Sequence, residues 1–312
     1  MRTHAADRPS QIGAVLWTSA DAANDVSDLI EQTRTVRRLG VDTVWFKQMF
    51  DLDSLSLAAV VGAAVPGTRV GTSIVPINPR HPLVVANQAQ TAQAAAHGGF
   101  TLGLGLGAPA LEAEAYGVRE PRPILRLREY LTVLRQLFDK GGADFRGESV
   151  TTHPPMPTVV RGGEDVPILV AAMGKQALAV SGELADGVIT FLAGPRAIGD
   201  HVVPRLERAA ERQHRVVASV IAVVTDEPDR VREHATSELA LYETIPSYQR
   251  ILAEEGAARA AELVLIGDEQ TVATGLRRYL DAGATELAVT QMNFASPQER
   301  IRTWTLLGSL QA

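Results

Sequence analysis

The fold of this chain is decided by the stretch from Arg69 to Ala108, RVGTSIVPINPRHPLVVANQAQTAQAAAHGGFTLGLGLGA. It predicts a strand over Val70–Val75 that must stop at Pro76, because proline cannot donate to a sheet ladder. An Ala- and Gln-rich helix follows, and then a strand over Phe100–Leu106 whose glycines let a bulky group approach the backbone. Strand, loop, helix, strand and loop in this order are typical of a parallel α/β protein.

The same alternation of apolar strands and amphipathic helices runs through the rest of the 312 residues. No linker rich in Pro, Gly or Ser divides the chain, and eight strand–helix units favour one (β/α)8 TIM barrel with insertions over two doubly wound domains. The predicted strands are Ile12–Trp17, Thr43–Phe46, Val70–Val75, Phe100–Leu106, Ile168–Ala172, Val188–Phe191, Val216–Val224 and Glu286–Thr290.

Two stretches depart from the barrel pattern. Residues 1–10 lack an apolar segment, and we expect them to form a disordered tail before a single domain over residues 11–312. Residues from about 143 to 166 are expected to form an insertion that carries a hairpin, with strands over Phe145–Val150 and Thr158–Val160 around an HPPMP run. Beyond the insertion, a helix is predicted from Pro195 to about Arg212.

Composition excludes several classes of protein. Hydrophobic residues make up 46% of the chain, yet no run approaches the ~18–20 apolar residues that span a bilayer, so no membrane partner is expected. The net charge of −6, with scattered basic residues, argues against a nucleic-acid partner. The absence of cysteine excludes disulfides and thiol catalysis and favours a cytoplasmic location. The dispersed histidines predict no metal site.

Polar and glycine-rich residues follow several strands, where barrel enzymes carry their chemistry. Gly103–Ala108 matches the dinucleotide fingerprint G-x-G-x-x-G/A, but it follows the fourth strand and Pro109 comes next, so a Rossmann fold is rejected. After the second strand, Lys47 and Gln48 can donate hydrogen bonds to a ligand, although ordinary rim residues are equally compatible with the pattern.

The turn Ala171–Gln176 joins the fifth strand to a helix. Gly174 leaves backbone N–H groups free at the positive end of the helix dipole, and Lys175 adds charge at the same place. These features suit a phosphate, but taken alone they favour a plain strand-to-helix turn.

Four segments together resemble the luciferase-like oxidoreductases, in particular their coenzyme F420-dependent branch. They are VDTVWFKQMFDLDSLSLAA, the stretch from Arg69 to Ala108, REYLTVLRQLF, and VPILVAAMGKQALAVSGELADGVIT. The likeness runs over roughly residues 11–310. It implies a TIM barrel with insertions, in agreement with the strand count.

The resemblance also implies a cofactor site. The third strand of the family ends in a bulge, often with a non-prolyl cis peptide, that supports the deazaflavin ring, while the turn after the fifth strand takes the phosphate and ribityl chain. Positions after the second and fourth strands lie near the ring, and no catalytic residue is assigned. The cofactor-binding residues so implied are Gln48, Met49, Ser73, Ile74, Val75, Gly105, Gly107, Ala171, Ala172, Met173, Gly174, Lys175 and Gln176.

The chain departs from the family pattern at two positions. Members that act on sugar phosphates carry an Asp-His pair after the second strand and an acid just past the glycine run, where this chain has Gln48–Met49 and Ala108. We therefore expect hydride transfer between F420 and an activated C=C or C=N bond of a small organic substrate, with a proton from solvent or an unidentified donor.

Two other functions remain open. The same fold could use FMN and oxygen as a luciferase-like monooxygenase, or the chain could bind a flavin or deazaflavin without catalysis. A homodimer is expected in each case.

Overall fold

The computed structural model describes residues 11–209 and 214–311. The predicted tail over residues 1–10 and the end of the helix predicted up to Arg212 lie outside the described residues. The strands are β1 (Ile12–Leu16), β2 (Thr43–Phe46), β3 (Arg69–Thr72), β4 (Val75–Pro76), β5 (Phe100–Gly105), β6 (Phe145–Arg146), β7 (Thr151–Thr152), β8 (Ile168–Ala171), β9 (Gly187–Phe191), β10 (Arg215–Val224), β11 (Leu265–Gly267) and β12 (Glu286–Thr290).

Eight parallel strands close into a barrel in the order β1, β2, β3, β5, β8, β9, β10 and β12. Closure comes from β12, which pairs with β1 through Ile12 opposite Leu287. The predicted TIM barrel is confirmed, and its eight strands are the eight predicted ones with ends that differ by at most one residue, except after Thr72. There the third strand breaks and resumes as β4, which pairs with β5.

Helices connect the strands and cover the outside of the barrel. They are α1 (Asp25–Arg38), α2 (Ser54–Ala64), α3 (Pro82–Ala95), α4 (Pro109–Tyr116), α5 (Pro123–Lys140), α6 (Lys175–Leu184), α7 (Pro195–Ala197), α8 (Val203–Arg208), α9 (Pro228–Leu239), α10 (Pro246–Glu255), α11 (Glu269–Asp281) and α12 (Pro297–Ser309). A π-turn, Ile198–Val202, joins α7 to α8. In the described part of the chain, no helix is long and apolar enough to cross a membrane.

The starts of these helices follow one rule with one exception. Each α-helix in residues 11–209 and 214–311 begins with a capping side chain, with a proline in its first turn, or with both, apart from α6. A capping side chain accepts a hydrogen bond from a backbone N–H group that the helix itself leaves unpaired, and a proline in the first turn removes one such N–H group. At α6 the N-cap is Gly174, which has no side chain to accept them.

The interior of the barrel is filled around one large side chain, Trp45 of β2, which packs with Val15 and Leu169. Gly71 on the adjacent strand makes room for it, since a Cβ there would lie 2.4 Å from the indole ring. Below this layer, at the amino ends of the strands, Arg215 donates to both oxygens of Glu286, at 2.6 and 2.8 Å, and to Thr101 Oγ1. The middle of the barrel is therefore a packed core rather than a pore.

The predicted insertion contains a hairpin, but both of its predicted strands are wrong in extent, because the strand predicted over Phe145–Val150 ends at Arg146 and the one over Thr158–Val160 is absent. Phe145–Arg146 pairs with Thr151–Thr152, because the carboxylate of Glu129 accepts the N–H groups of residues 148, 149 and 150 and so fixes a tight turn. Thr158–Val160 forms no strand. The side-chain amide of Gln90 takes its place as a partner, donating to Thr158 O and accepting from Val160 N.

Candidate cofactor site

The third barrel strand ends in a bulge at the mouth of the barrel. The Ser73–Ile74 peptide bond is cis, as the resemblance predicts. From Val70 to Val75 the strand advances five residues, while its partner advances four from Phe100 to Leu104, so one extra residue is inserted.

Hydrogen bonds fix this bulge from both sides. Ser73 N donates to Phe46 O at 2.8 Å, on the side of β2. On the side of β5, the hydroxyl of Thr72 donates to Gly103 O and accepts from Gly103 N, both at 2.9 Å. The Thr72 side chain thus replaces a backbone group in the ladder where the strand departs from it.

The glycines of β5 make room for the bulge. A Cβ on Gly103 would lie 1.9 Å from the carbonyl oxygen of Thr72, and a Cβ on Gly105 would lie 2.4 Å from Cδ1 of Ile74. The bulky group expected near these glycines is therefore part of the protein. Ile74 packs against the barrel interior at its carboxyl end together with Trp17 and Ala171, whereas the side chain of Val75 is fully buried in the main core.

The predicted residues after β2 have two different surroundings. The amide of Gln48 donates to Met49 O and Leu52 O and accepts from Ser54, so it shapes the loop that leads into α2. Met49 and Phe50 are exposed, at 47% and 58%. Phe50 lies 5.8 Å from the ring of Tyr116 on α4, which joins two loops of the rim.

The turn after β8 places Gly174, Lys175 and Gln176 at the exposed start of α6. A Cβ on Gly174 would meet no atom within 4 Å, so the space above the uncapped N–H groups is open. The residue before Gly174 is fixed by the π-helical segment Ile198–Val202, because His201 Nε2 donates a hydrogen bond to Met173 O at 2.8 Å. Ala172 is buried beneath the turn. Open N–H groups beside a lysine fit the phosphate of a nucleotide-like cofactor.

Lys47 and Trp17 form a pair at the same end of the barrel. Lys47 Nζ lies 3.5 Å from the centroid of the Trp17 ring, a cation–π contact. Trp17 Nε1 donates to Thr290 Oγ1 at 2.9 Å, which fixes the indole across β12. Burial lowers the pKa of the Lys47 ammonium, and the charge of Asp51 partly offsets this.

Sequence reasoning found no acid near the glycine run, and it missed Glu112 on α4. This side chain is 3% exposed and lies beneath Gly107, whose φ of +74° a larger residue adopts poorly. Asn78 Nδ2 donates to its Oε2 at 2.7 Å. Burial raises the pKa of Glu112, while Asn78 and the charge of Arg126 act in the opposite direction. The sequence does carry one signal for this acid: Glu112 lies one turn into a helix that begins at Pro109, directly after the glycine run.

The bulge, the open helix start and the barrel mouth meet around three adjacent strands, β3, β5 and β8. No group of three or more His, Asp or Glu side chains in the described ranges is arranged to hold a metal ion. The arrangement is that of a (β/α)8 barrel whose mouth carries a strand bulge two strands away from an open helix start.

Comparison with known proteins identifies the family. The sequence profile of the luciferase-like monooxygenases matches residues 9–286. The chain belongs to this family, and the resemblance inferred from its sequence is confirmed.

Its relatives include F420-dependent enzymes. A Mycobacterium tuberculosis protein, provisionally named a coenzyme F420-dependent oxidoreductase, is 28% identical over 229 residues, 65% of this chain and 64% of that protein. An F420-dependent glucose-6-phosphate dehydrogenase of Intrasporangium calvum is 27% identical over 216 residues, with 64% of each chain covered. The matched region thus spans just under two thirds of both relatives.

A solved structure agrees in fold. An F420-dependent secondary alcohol dehydrogenase, solved with an F420–acetone adduct, superposes with a TM-score of 0.76 at 19% identity, over 96% of this chain and 97% of that one. At this identity, the likeness concerns the fold.

Proposed function

We propose that this chain is an F420-dependent oxidoreductase, which transfers a hydride between the deazaflavin and a small organic substrate with an activated C=C or C=N bond. The observation that carries the proposal is the strand bulge at Ser73–Ile74, which lies two strands away from the uncapped start of α6. The names of the relatives support the choice of cofactor.

The residues of this chain would hold F420 in three ways. The backbone of Ser73 and Ile74 would lie against the ring, and the N–H groups from Gly174 to Gln176, with Lys175, would take the phosphate. Gly105 and Gly107 would act indirectly, by making room for Ile74 and Glu112. When bound in its reduced form, the cofactor supplies a hydride.

The choice of substrate class follows from what the mouth lacks. Oxidation of a sugar alcohol needs a base to take the hydroxyl proton. The Gln48 amide is committed to its own loop, Met49 and Ala108 cannot titrate, and Glu112 is buried beneath Gly107. Reduction of a polarised double bond by hydride needs a proton but no base, and solvent can supply the proton.

Anaerobic titration with F420 and, separately, with FMN tests the proposal. We expect saturable binding of F420 at micromolar concentration, with FMN bound at least about tenfold more weakly, followed by oxidation of reduced F420 on addition of cyclohex-2-enone or 1-pyrroline. Preferential binding of FMN with oxygen consumption would instead support a monooxygenase. Tight F420 binding without turnover of either compound would support a non-catalytic carrier.

We also propose a homodimer in the cytoplasm, without nucleic acid as a partner. Val60 of α2 and Val84 of α3 are exposed on two helices that pack side by side, and we propose these helices as the contact with a second copy. Sedimentation velocity of wild type and of a Val60→Glu, Val84→Glu double variant tests this, with a shift from dimer to monomer expected in the variant.

A further inference from the structure

Lys47 is oriented into the mouth of the barrel by the register of β2. Trp45 belongs to the interior layer, and side chains two residues apart on a strand lie on the same face, so Lys47 follows Trp45 toward the carboxyl end. The contact of its Nζ with Trp17, which packs against the same interior layer, confirms this orientation. Lys140 and Lys175, the other two lysines, are exposed.

The ammonium of Lys47 keeps donors for a ligand. Within residues 11–209 and 214–311, no carboxylate lies at ion-pairing distance from its Nζ, and no protein acceptor bonds to it. The charge that acts on Lys47 is that of Asp51, on the loop that follows it, while Asp28 and Arg300 hold the loop after Trp17 through Ser19. A half-buried cation with three N–H donors and an aromatic face on one side is suited to a polar atom of a bound molecule.

We propose that Lys47 is the substrate-recognising proton donor of this mouth, with its Nζ–H directed at the imine nitrogen or conjugated carbonyl oxygen of a substrate held beside Trp17. This inference rests on the proposed function. It supplies the donor that Gln48, Met49 and Ala108 cannot provide.

The proton and electrons balance in this role. For an imine, the C=N π bond breaks as the carbon gains a hydride from the reduced deazaflavin and the nitrogen gains the proton of Nζ. The product is an amine, and the neutral Lys47 recovers a proton from water. For an enone, the hydride goes to the β-carbon and the proton to the carbonyl oxygen, and the enol then becomes the ketone. The lowered pKa of Lys47 makes its ammonium a stronger acid than an exposed lysine.

The first test needs no turnover. Lysine labelled with 13C at Cε gives three resonances, one per lysine, and the one lost in Lys47→Met belongs to Lys47. We expect this resonance to titrate at lower pH than a free lysine side chain and to shift when cyclohex-2-enone is added to protein saturated with oxidised F420. Titration at the pH of a free lysine, or no response to cyclohexenone, would overturn the assignment.

The second test separates donor from cofactor effects. In Lys47→Met we expect kcat/KM for cyclohexenone or 1-pyrroline to fall about 100-fold, with F420 affinity unchanged. Lys47→Arg keeps the charge but holds its proton too tightly, so kcat should fall while KM stays near wild type. Lys140→Met, at the exposed end of α5, is the matched control and should behave as wild type.

The possible failures are distinct. Turnover by wild type that Lys47→Met leaves intact would overturn the role of Lys47 alone. If wild type turns over neither compound, the proposed reaction fails, and the response of the Lys47 resonance to cyclohexenone then decides whether Lys47 recognises this class of molecule.

Discussion

At the scale of single residues, Ile74 and Gly105 are complementary. The side chain of Ile74 uses the space where Gly105 has no Cβ, and the two lie where the cofactor ring is proposed to bind. Because Cδ1 is the closest atom, removing it should relieve a larger residue at position 105. Packing at this point is therefore a property of the pair, and it can be measured without any ligand.

A double-mutant cycle tests that pairing. We expect Gly105→Ala to lower the free energy of unfolding by about 2 kcal/mol through overpacking, and Ile74→Val by about 1 kcal/mol through lost burial. The double variant should lose less than the sum, with a coupling of about 1 kcal/mol measured by urea denaturation. If the two losses of free energy simply add, the two side chains are not coupled, and β5 instead relieves the overpacking at position 105 by moving away from Ile74.

Glu112 predicts how stability depends on pH. Burial raises its pKa in the folded protein above the unfolded value of about 4.3, so between these two values the folded state holds more protons than the unfolded state. The contribution of this group to stability is thus present at low pH and is lost as pH rises through the folded pKa. In Glu112→Gln, we expect the fall in stability over this window to be smaller.

Urea denaturation from pH 4 to pH 8 measures the effect. Glu114→Gln, two residues along the same helix and exposed, is the matched control and should follow wild type. Parallel pH profiles for wild type and Glu112→Gln would contradict the assignment.

At the scale of elements, the start of α6 separates stability from binding. Gly174 has a φ of −83° that any residue adopts, and nothing occupies the space of its Cβ. We expect Gly174→Asp to cap the helix and raise Tm by about 2 °C, because aspartate is a good N-cap, while weakening F420 binding about tenfold by placing a carboxylate where the phosphate is proposed. Thermal melts and F420 titration measure the two effects.

Gly174→Asn is the control for this pair of effects. It provides a cap without a charge, so it should stabilise the helix to a similar degree and weaken F420 binding less than Gly174→Asp. Equal F420 affinity in wild type and Gly174→Asp would place the phosphate elsewhere.

The sequence predicted elements better than contacts. The barrel strands were predictable because each is a short apolar run between turn signals, a local property. Thr158–Val160 has the same local character, and its composition therefore predicts a strand. Its backbone instead bonds to the side chain of Gln90, about seventy residues earlier in the chain. The cis bond at Ser73 came from the family resemblance, since no local pattern marks it. The contact of Lys47 with Trp17 depends on the register of β1 against β2, in which Leu16 lies opposite Phe46, and the sequence could not show that register.

At the scale of the whole molecule, the two ends of the barrel have separate tasks. The ion pair of Arg215 with Glu286 ties β10 to β12 at the amino end, away from the proposed site. Glu286 is 4% exposed, so its removal leaves a cation without its partner. We expect Glu286→Gln to lower the free energy of unfolding by about 2 kcal/mol while F420 affinity stays within about twofold of wild type. Denaturation and titration of one preparation check both, and a large loss of affinity would contradict the separation.

The proline-led helix starts have a consequence for ligand capture. In a parallel barrel the helices begin on the side of the mouth, and there α3, α4, α5, α7, α9, α10 and α12 each begin with a proline. Proline restricts the backbone before any ligand arrives, so the rim has little conformational entropy left to lose on association. Calorimetry of F420 binding should then show a heat-capacity change that the buried apolar area alone accounts for, as expected for a preorganised receptor rather than one that folds around its ligand.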